Sequence, residues 1–405
     1  MLTVIHLYPP HHIGGYEVAC QSVMERFVER GIEVEVLTAD HHMEGVDEVA
    51  SPVRVHRLLR GWWDWDAWGP SQLNFRQRMA IERHNQRAMA DTLAQFQPDV
   101  ASVWDLGMMS WSLATLLERR RIPIVLTFLD DWITFAYVFD AWSRIFDKRP
   151  WLRPLGTALR LETRLPEFRH AVASNASRMI EETVEERSRW KFPDAELIPM
   201  GVENRSFPIT EPSQTEWSWR LMYSGRLVPE KGVGTVIKAL ALLPEQATLD
   251  IVGHGHESMV RELKDLAAER GVADRVAFAH ASSRQELRDR YRSADLVVFP
   301  SEWPEPFGLV PLEAMACGTP VVATGTGGSG EFLDDEVNCL RFTPGDPESL
   351  AGAVRRVAED PALRARIVSG GTATTQRMNM DNYAERLEVL HRRAASGETA
   401  SVNVA

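Results

Sequence analysis

Three cysteines in 405 residues, Cys20, Cys317 and Cys339, are an odd number set far apart. They offer neither a disulfide framework nor the ligand spacing of a zinc site, and they fit a reducing compartment. Long apolar runs are missing too: no stretch approaches the roughly 20 apolar residues that a membrane-spanning helix needs. The chain opens Met1-Leu2-Thr3-Val4-Ile5-His6-Leu7 without a basic segment ahead of an apolar one, which predicts a β-strand and not a secretion signal. Positive charge is scarce. A net charge of −12 argues against a general nucleic-acid binder, whose affinity for phosphate backbones needs a basic footprint. These absences predict a cytoplasmic protein.

What is present is an ordinary globular composition, 44% hydrophobic, 8% aromatic and 25% charged. It excludes a disordered chain and a collagen-like repeat. At about 150 residues per domain the length fits two domains. Val4 to Tyr8 is an apolar run stopped by Pro9-Pro10. Cys20, Val23, Met24 and Phe27 then fall on one face of a helix ended by Gly31, and a strand follows over 33–37. The alternation continues with a strand at 100–103, a helix at 113–120 and a strand at 122–128. It restarts after residue 215 with short strands at 220–223, 248–252, 276–278, 296–299 and 321–323. Strands alternating with helices imply parallel βαβ units, so the fold class is α/β with two Rossmann-like doubly wound domains facing a cleft.

The most informative stretch is Pro300-Ser301-Glu302-Trp303-Pro304-Glu305-Pro306-Phe307-Gly308-Leu309-Val310-Pro311-Leu312-Glu313, running on to Gly318. It follows a predicted strand and opens a short helix with Pro311 in its first turn and Gly318 at its end. Amides near Gly308 and Leu309 would face the crevice at the strands' carboxyl ends, a place that favours an anion. Glu305 and Glu313 are eight residues apart, about 12 Å by helical rise. That is too far for a carboxylate pair acting on one bond, roughly 5–9.5 Å, and it suits two hydroxyl-binding groups at opposite ends of a long ligand.

This stretch resembles the E-x7-E region of retaining glycosyltransferases of the GT-B fold, in the large family 4 group. Other segments resemble that family's motifs in the same order: Gly14-Gly15-Tyr16-Glu17, Ile198-Pro199-Met200-Gly201-Val202-Glu203, Ser224-Gly225-Arg226-Leu227-Val228-Pro229-Glu230-Lys231-Gly232, Gly253-His254-Gly255, Ala294-Asp295, and Gly327-Gly328 with Glu331. The resemblance covers nearly the whole chain. It implies an acceptor-binding domain over 1–203 and a nucleotide-sugar-binding domain over 216–380; the polar, proline-bearing stretch 204–215 reads as the linker, the one-face spacing of Tyr383, Leu387 and Leu390 as a closing helix over 381–394, and the small, polar residues 395–405 as a frayed tail.

The resemblance implies a nucleoside-diphosphate sugar as donor, a hydroxyl acceptor, retention of configuration, and neither metal nor other cofactor. Arg226 and Lys231, flanked by Gly225 and Gly232, would hold the diphosphate and neutralise the charge that builds as the nucleotide leaves, the role a metal plays elsewhere. Lys231 is one of only five lysines in the chain. Gly14 and Gly15 would let the backbone approach the phosphates, although read alone they are equally a plain turn before a helix. Glu305, with the Phe307, Gly308 and Leu309 backbone, would meet the transferring sugar, and Glu313 the ribose. The product class stays open among polysaccharide, glycoconjugate and secondary metabolite. An epimerase or phosphorylase on the same architecture, or a silent glycan- or lipid-binding protein, are the alternatives.

One position departs from the pattern. Many relatives carry a histidine before the aspartate that here is Asp130; this chain has Leu129-Asp130-Asp131-Trp132. A leucine offers no hydrogen bond, and a buried hydroxyl facing it would lose roughly 1–3 kcal/mol. The expectation is a donor without a C6 hydroxyl, a 6-deoxyhexose or a pentose, unless another side chain replaces the histidine. Asp130 remains to orient donor or acceptor. Met200 and His280 stand where the family usually has asparagine and glycine.

Three further features remain. Trp62-Trp63-Asp64-Trp65-Asp66-Ala67-Trp68 either stacks on an acceptor or packs under a long loop. Between Ser143 and His170, seven basic residues face three acidic ones, with Phe146, Trp151, Leu152 and Leu155 interleaved; this is either a solvated helix face or a peripheral contact with the membrane inner face. His6, His11 and His12 near the first strand's end lack partners at ligand spacing, so no metal site is expected.

Overall fold

A computed structural model describes residues 1–64, 69–210, 216–281 and 283–397. The chain divides into two compact units, Met1–Ile198 together with the residues from Ala384 onward, and Pro199–Tyr383.

The first unit is built on strands β1 (Leu2–Ile5), β2 (Glu35–Ala39) and β3 (Arg54–Leu59). A small antiparallel ribbon follows, β4 (Trp63–Asp64) with β5 (Gly69–Pro70). The sheet is completed by β6 (Ala101–Asp105), β7 (Ile124–Phe128), β8 (Ala171–Asn175) and β9 (Glu196–Leu197). Its order is β3-β2-β1-β6-β7-β8-β9, every pairing parallel. Strands β1, β2, β6, β7 and β8 are buried along their whole length. That is why they read as unbroken apolar runs and not as alternating ones. The expected first helix is Gly15–Glu29, and Cys20, Val23, Met24 and Phe27 are fully buried on its inner face.

The second unit repeats the plan with β10 (Arg220–Ser224), β11 (Thr248–Val252), β12 (Val276–Ala279), β13 (Leu296–Phe299), β14 (Val321–Ala323) and β15 (Leu340–Arg341). The order is β12-β11-β10-β13-β14-β15, again all parallel. Both units are α/β with the strand-order reversal that places ligands at the carboxyl ends of the strands. Among the described residues no helix is long and apolar enough to cross a membrane.

The last helix, Met380–Ala395, is part of the first unit from Ala384 onward. The His391 ring fixes it: Nδ1 donates to the Leu387 carbonyl (2.6 Å), Nε2 accepts from Ser102 Oγ (2.8 Å), and its edge meets Phe27. Burial of this ring pushes its pKa down to about 4. Tyr383, Leu387 and Leu390 are each buried, as their spacing predicts. Within 204–215, Phe207 is fully buried beside Tyr291, and the Thr210 amide donates to the Ala316 carbonyl. This part of the expected linker is therefore packed onto the second unit; residues 211–215, like 398–405 of the expected tail, lie outside the described residues.

Candidate active site

In the second unit, two segments are pressed together at the carboxyl ends of β10 and β13. After β10 the chain passes Gly225 and Arg226 into a single 3-10 turn, Pro229–Lys231, and leaves it through Gly232 at φ +67°. A Cβ on Gly232 would lie 2.1 Å from the Pro300 carbonyl oxygen, so only glycine lets the turn sit this close to the segment after β13. The Glu302 amide donates to the Glu230 carbonyl (2.9 Å), and Thr235 Oγ1 donates to Glu302 Oε1 (2.7 Å).

That clamp brings Lys231 Nζ to 2.5 Å from Glu305 Oε1, with 17% and 6% of the two side chains exposed. Glu305 is held from behind as well: its backbone bridges to Gly327, and its carbonyl accepts the Gly328 amide (2.7 Å). Arg226 is exposed and has no acidic partner within 4 Å among the described residues. Phe307 is buried against Phe332, and Gly308, at φ +91°, places its α-carbon against the Phe299 ring.

The helix after Leu309 is only Val310–Ala316. The 12 Å spacing expected for Glu305 and Glu313 assumed helix throughout, and it does not apply, because Glu305 lies in the turn before the helix begins. Their partners distinguish them instead. Glu313 is buried in the helix's first turn, with Oε1 accepting from Arg284 Nη1 (2.7 Å) and Oε2 from Tyr291 Oη (3.0 Å).

Gly14, Gly15, Leu129 and Asp130 lie in the first unit. Gly14 caps the first helix at φ −154°, an extended conformation open to any residue, and a Cβ on Gly15 would meet open space. The fold itself needs glycine at neither place; what the pair leaves is bare, exposed backbone. Leu129 is 7% exposed, its amide 3.4 Å from Tyr16 Oη. Asp130 Oδ1 accepts the Trp132 amide (2.9 Å), and burial, with Asp105 nearby, pushes its carboxyl up to about 8.

No linear motif signals what surrounds Asp130. His6 follows β1 with Nε2 3.1 Å from Glu17 Oε1 and Nδ1 3.2 Å from Asp105 Oδ2. These residues stand at the ends of separate elements, so no linear spacing joins them; the usable signal is that His6, Asp105 and Asp130 each end or follow a parallel strand. A cavity of about 460 Å³ is lined by His6 together with Asp40, His42, Arg60, Trp63 and Met108, among others.

His6 and His11 have different partners. His11 lies with His42 and Glu48, their ligand atoms within 4.8 Å of one another. His11 Nδ1 accepts the Met43 amide (3.1 Å), so the neutral ring carries its proton on Nε2, the nitrogen that faces His42 and Glu48. Glu48 is also taken by Arg57 (2.5 Å). This is a hydrogen-bonded loop anchor and a poor set of metal donors. Trp62 is buried in a cluster with Trp142, Phe146 and Leu161, while Trp63 is half-buried, edge-on to Phe139. Trp65, Asp66, Ala67 and Trp68 lie outside the described residues.

Comparison with known proteins agrees with this architecture. Residues 14–199 match the glycosyl transferase 4-like domain, and residues 211–374 match glycosyl transferases group 1. The chain belongs to the group 1 glycosyltransferase family and has the GT-B fold. An uncharacterized glycosyltransferase of Methanocaldococcus jannaschii is 27% identical over 93% of this chain and 94% of its own length. The D-inositol 3-phosphate glycosyltransferase of Xylanimonas cellulosilytica is 37% identical over 46% of this chain. The chain spans about half the length of the D-inositol 3-phosphate glycosyltransferases it matches, 48% for that one. Among solved structures, sucrose-phosphate synthase of Thermosynechococcus elongatus superposes with a TM-score of 0.70 at 22% identity, covering 98% of each chain. Anabaena HepE in complex with UDP-glucose gives 0.66 at 20% identity, covering 96% of this chain and 98% of that one.

Proposed function

We propose that this chain transfers a sugar from a nucleoside-diphosphate donor to an acceptor hydroxyl, with retention of configuration and without a metal. The observation that carries the reading is the pairing of Lys231 with Glu305 at the carboxyl ends of the second unit's strands, with Arg226 on the same loop as Lys231 and without an acidic partner within 4 Å among the described residues. Departure of the nucleotide places negative charge on the diphosphate; two cations fixed there stabilise that charge most in the transition state. Lys231 has three donors, so it keeps Glu305 while reaching a phosphate oxygen. The second oxygen of Glu305 is left for a hydroxyl of the transferring sugar, next to the Phe307–Leu309 backbone. Glu313, oriented by Arg284 and Tyr291, keeps lone pairs for the ribose hydroxyls. In the first unit the bare backbone of Gly14 and Gly15 leaves amides open to an anion, and the cavity that His6 lines suits an acceptor.

Leu129 favours a donor sugar without a C6 hydroxyl, since its nearly buried side chain offers that group only hydrocarbon. Incubating the full chain with UDP-, GDP- and dTDP-sugars, with and without acceptor, tests the reading. D-inositol 3-phosphate is the first acceptor to assay, because relatives carry it in their name. Transfer that depends on acceptor and is lost in Lys231→Ala and Glu305→Ala supports a transferase. Sugar isomerised without acceptor supports an epimerase instead, and no turnover supports a binding protein.

A peripheral membrane contact through 143–170 also belongs to the proposal. Trp151 and Leu155 are 72% and 52% exposed, beside the exposed Lys148, Arg149 and Arg160. An exposed aromatic with exposed cations close by in the sequence, on an acidic protein, matches the interface of an anionic bilayer.

A further inference from the structure

The first unit's strands end in a buried ionic cluster that the donor chemistry above does not use. His6 is 7% exposed and faces carboxylates on both ring nitrogens, Glu17 through Nε2 and Asp105 through Nδ1. Each carboxylate is oriented from its other side by backbone. Glu17 Oε2 accepts the Gly14 amide (3.2 Å), and Asp105 Oδ1 accepts the Gly107 amide (2.5 Å). Nε2 donates to Glu17, while Nδ1 lies 3.2 Å from Asp105 Oδ2 without hydrogen-bond geometry, so that contact is one of charge; two carboxylates this close favour the ring as an imidazolium. Burial alone would discharge the ring; Asp105 and Glu17 outweigh it and raise its pKa above the ordinary value.

The charged groups around the ring can be named element by element. Glu17 comes from the first helix, Asp105 from the end of β6 and Asp130 from the turn after β7, while Asp40, His41, His42 and Arg60 line the cavity His6 opens onto. One buried cation thus meets three acids. Asp105 and Glu17 are each tied to His6, whereas Asp130 has only the Trp132 amide as a hydrogen-bond partner among the described residues, and it is half-buried. Asp130 is the acid of the three with an oxygen left for a ligand.

We propose that His6 is a positioning residue for sugar transfer: as an imidazolium it locks Glu17 and Asp105 and leaves Asp130 as the carboxyl group that hydrogen-bonds the incoming acceptor hydroxyl. The proposal rests on the glycosyltransferase reading. Removing the cation leaves three neighbouring acids without a counter-charge, which raises the pH at which Asp130 ionises.

Two measurements on the full chain test it. The first is side-chain NMR of the protein labelled with ¹⁵N-histidine, with His6→Gln as the assignment control. His6 is expected to hold both ring protons at and above the ordinary histidine pKa of 6.5; a ring with one proton at and below that pH overturns the proposal. The second is the pH profile of turnover with whichever nucleotide sugar the wild type uses. His6→Gln should move the acid limb up by about one pH unit, with the donor KM changed less than about twofold. An unmoved limb overturns the proposal. Should His6→Gln not fold, Asp130→Asn gives the second route: loss of the acid limb is expected, and a wild-type limb contradicts it. A wild type that turns over no nucleotide sugar defeats the transferase reading, and with it the role in transfer, while the ring titration still reports separately whether His6 is charged.

Discussion

Lys231 and Glu305 are 74 residues apart in the chain and 2.5 Å apart in space, joined because a glycine at 232 lets one loop lie against the next. The pair is largely buried, so its members do unequal things when removed. Lys231→Met leaves an uncompensated carboxylate and should destabilise the protein by up to about 3 kcal/mol, the residual solvent at Lys231 trimming the full cost. Lys231→Met/Glu305→Leu should recover much of that loss. Both variants should nonetheless lose at least ~10²-fold in turnover, because the charge on the leaving diphosphate is unmet. Urea denaturation beside turnover separates the two effects; parallel loss and recovery of both would mean the pair is structural only.

Glu82 ties pH to stability. It is fully buried, with Oε1 accepting from Gln86 (2.5 Å) and from Ser112, and burial pushes its carboxyl up to about 8. A folded-state value above the ordinary 4.5 means the folded protein holds the proton more tightly than the unfolded chain. The stabilisation is therefore complete below the ordinary value and falls as pH rises toward about 8, at ~1.4 kcal/mol per unit. Glu82→Gln should abolish this slope. Denaturation of both proteins at about pH 5 and about pH 8 checks it, and equal slopes would contradict it.

How much of this was legible in the sequence depended on whether a residue's partner lay nearby in the chain. The strands rich in Val, Ile and Leu, such as Ile124–Phe128 and Leu296–Phe299, announced themselves. Arg54–Leu59, reading RVHRLL at a sheet edge, and Ala171–Asn175, reading AVASN, did not, because small and polar residues were accepted there for their sheet neighbours and not for their own hydrophobicity. Motif order pointed to Arg226, Lys231, Glu305 and Glu313. It was silent on Arg284 and Tyr291, which orient Glu313 from a different helix, and on the ties between His6, Glu17 and Asp105.

Leu129 carries a prediction about the donor. In competition between an ordinary hexose nucleotide and its 6-deoxy counterpart, the wild type should prefer the deoxy sugar. Leu129→His should shift that preference toward the hexose by about tenfold, the worth of one hydrogen bond. A wild type that clearly prefers the hexose contradicts it.

The exposed Trp151 and Leu155 predict binding to anionic vesicles. Flotation with phosphatidylserine-containing liposomes should retain the protein at low salt, and Trp151→Ala/Leu155→Ala should release it. Binding that is equal on neutral phosphatidylcholine, or that survives the double substitution, would assign the patch to solvent.

The thermal melt of the full chain with UDP, GDP and dTDP, repeated on Arg226→Gln and Lys231→Ala, tests most directly whether the second unit grips a pyrophosphate. A ligand that binds only the folded state raises the melting temperature. The account predicts a rise with at least one of the three nucleotides that shrinks sharply in either variant. A rise of the same size in all three proteins, or none in any, would contradict it.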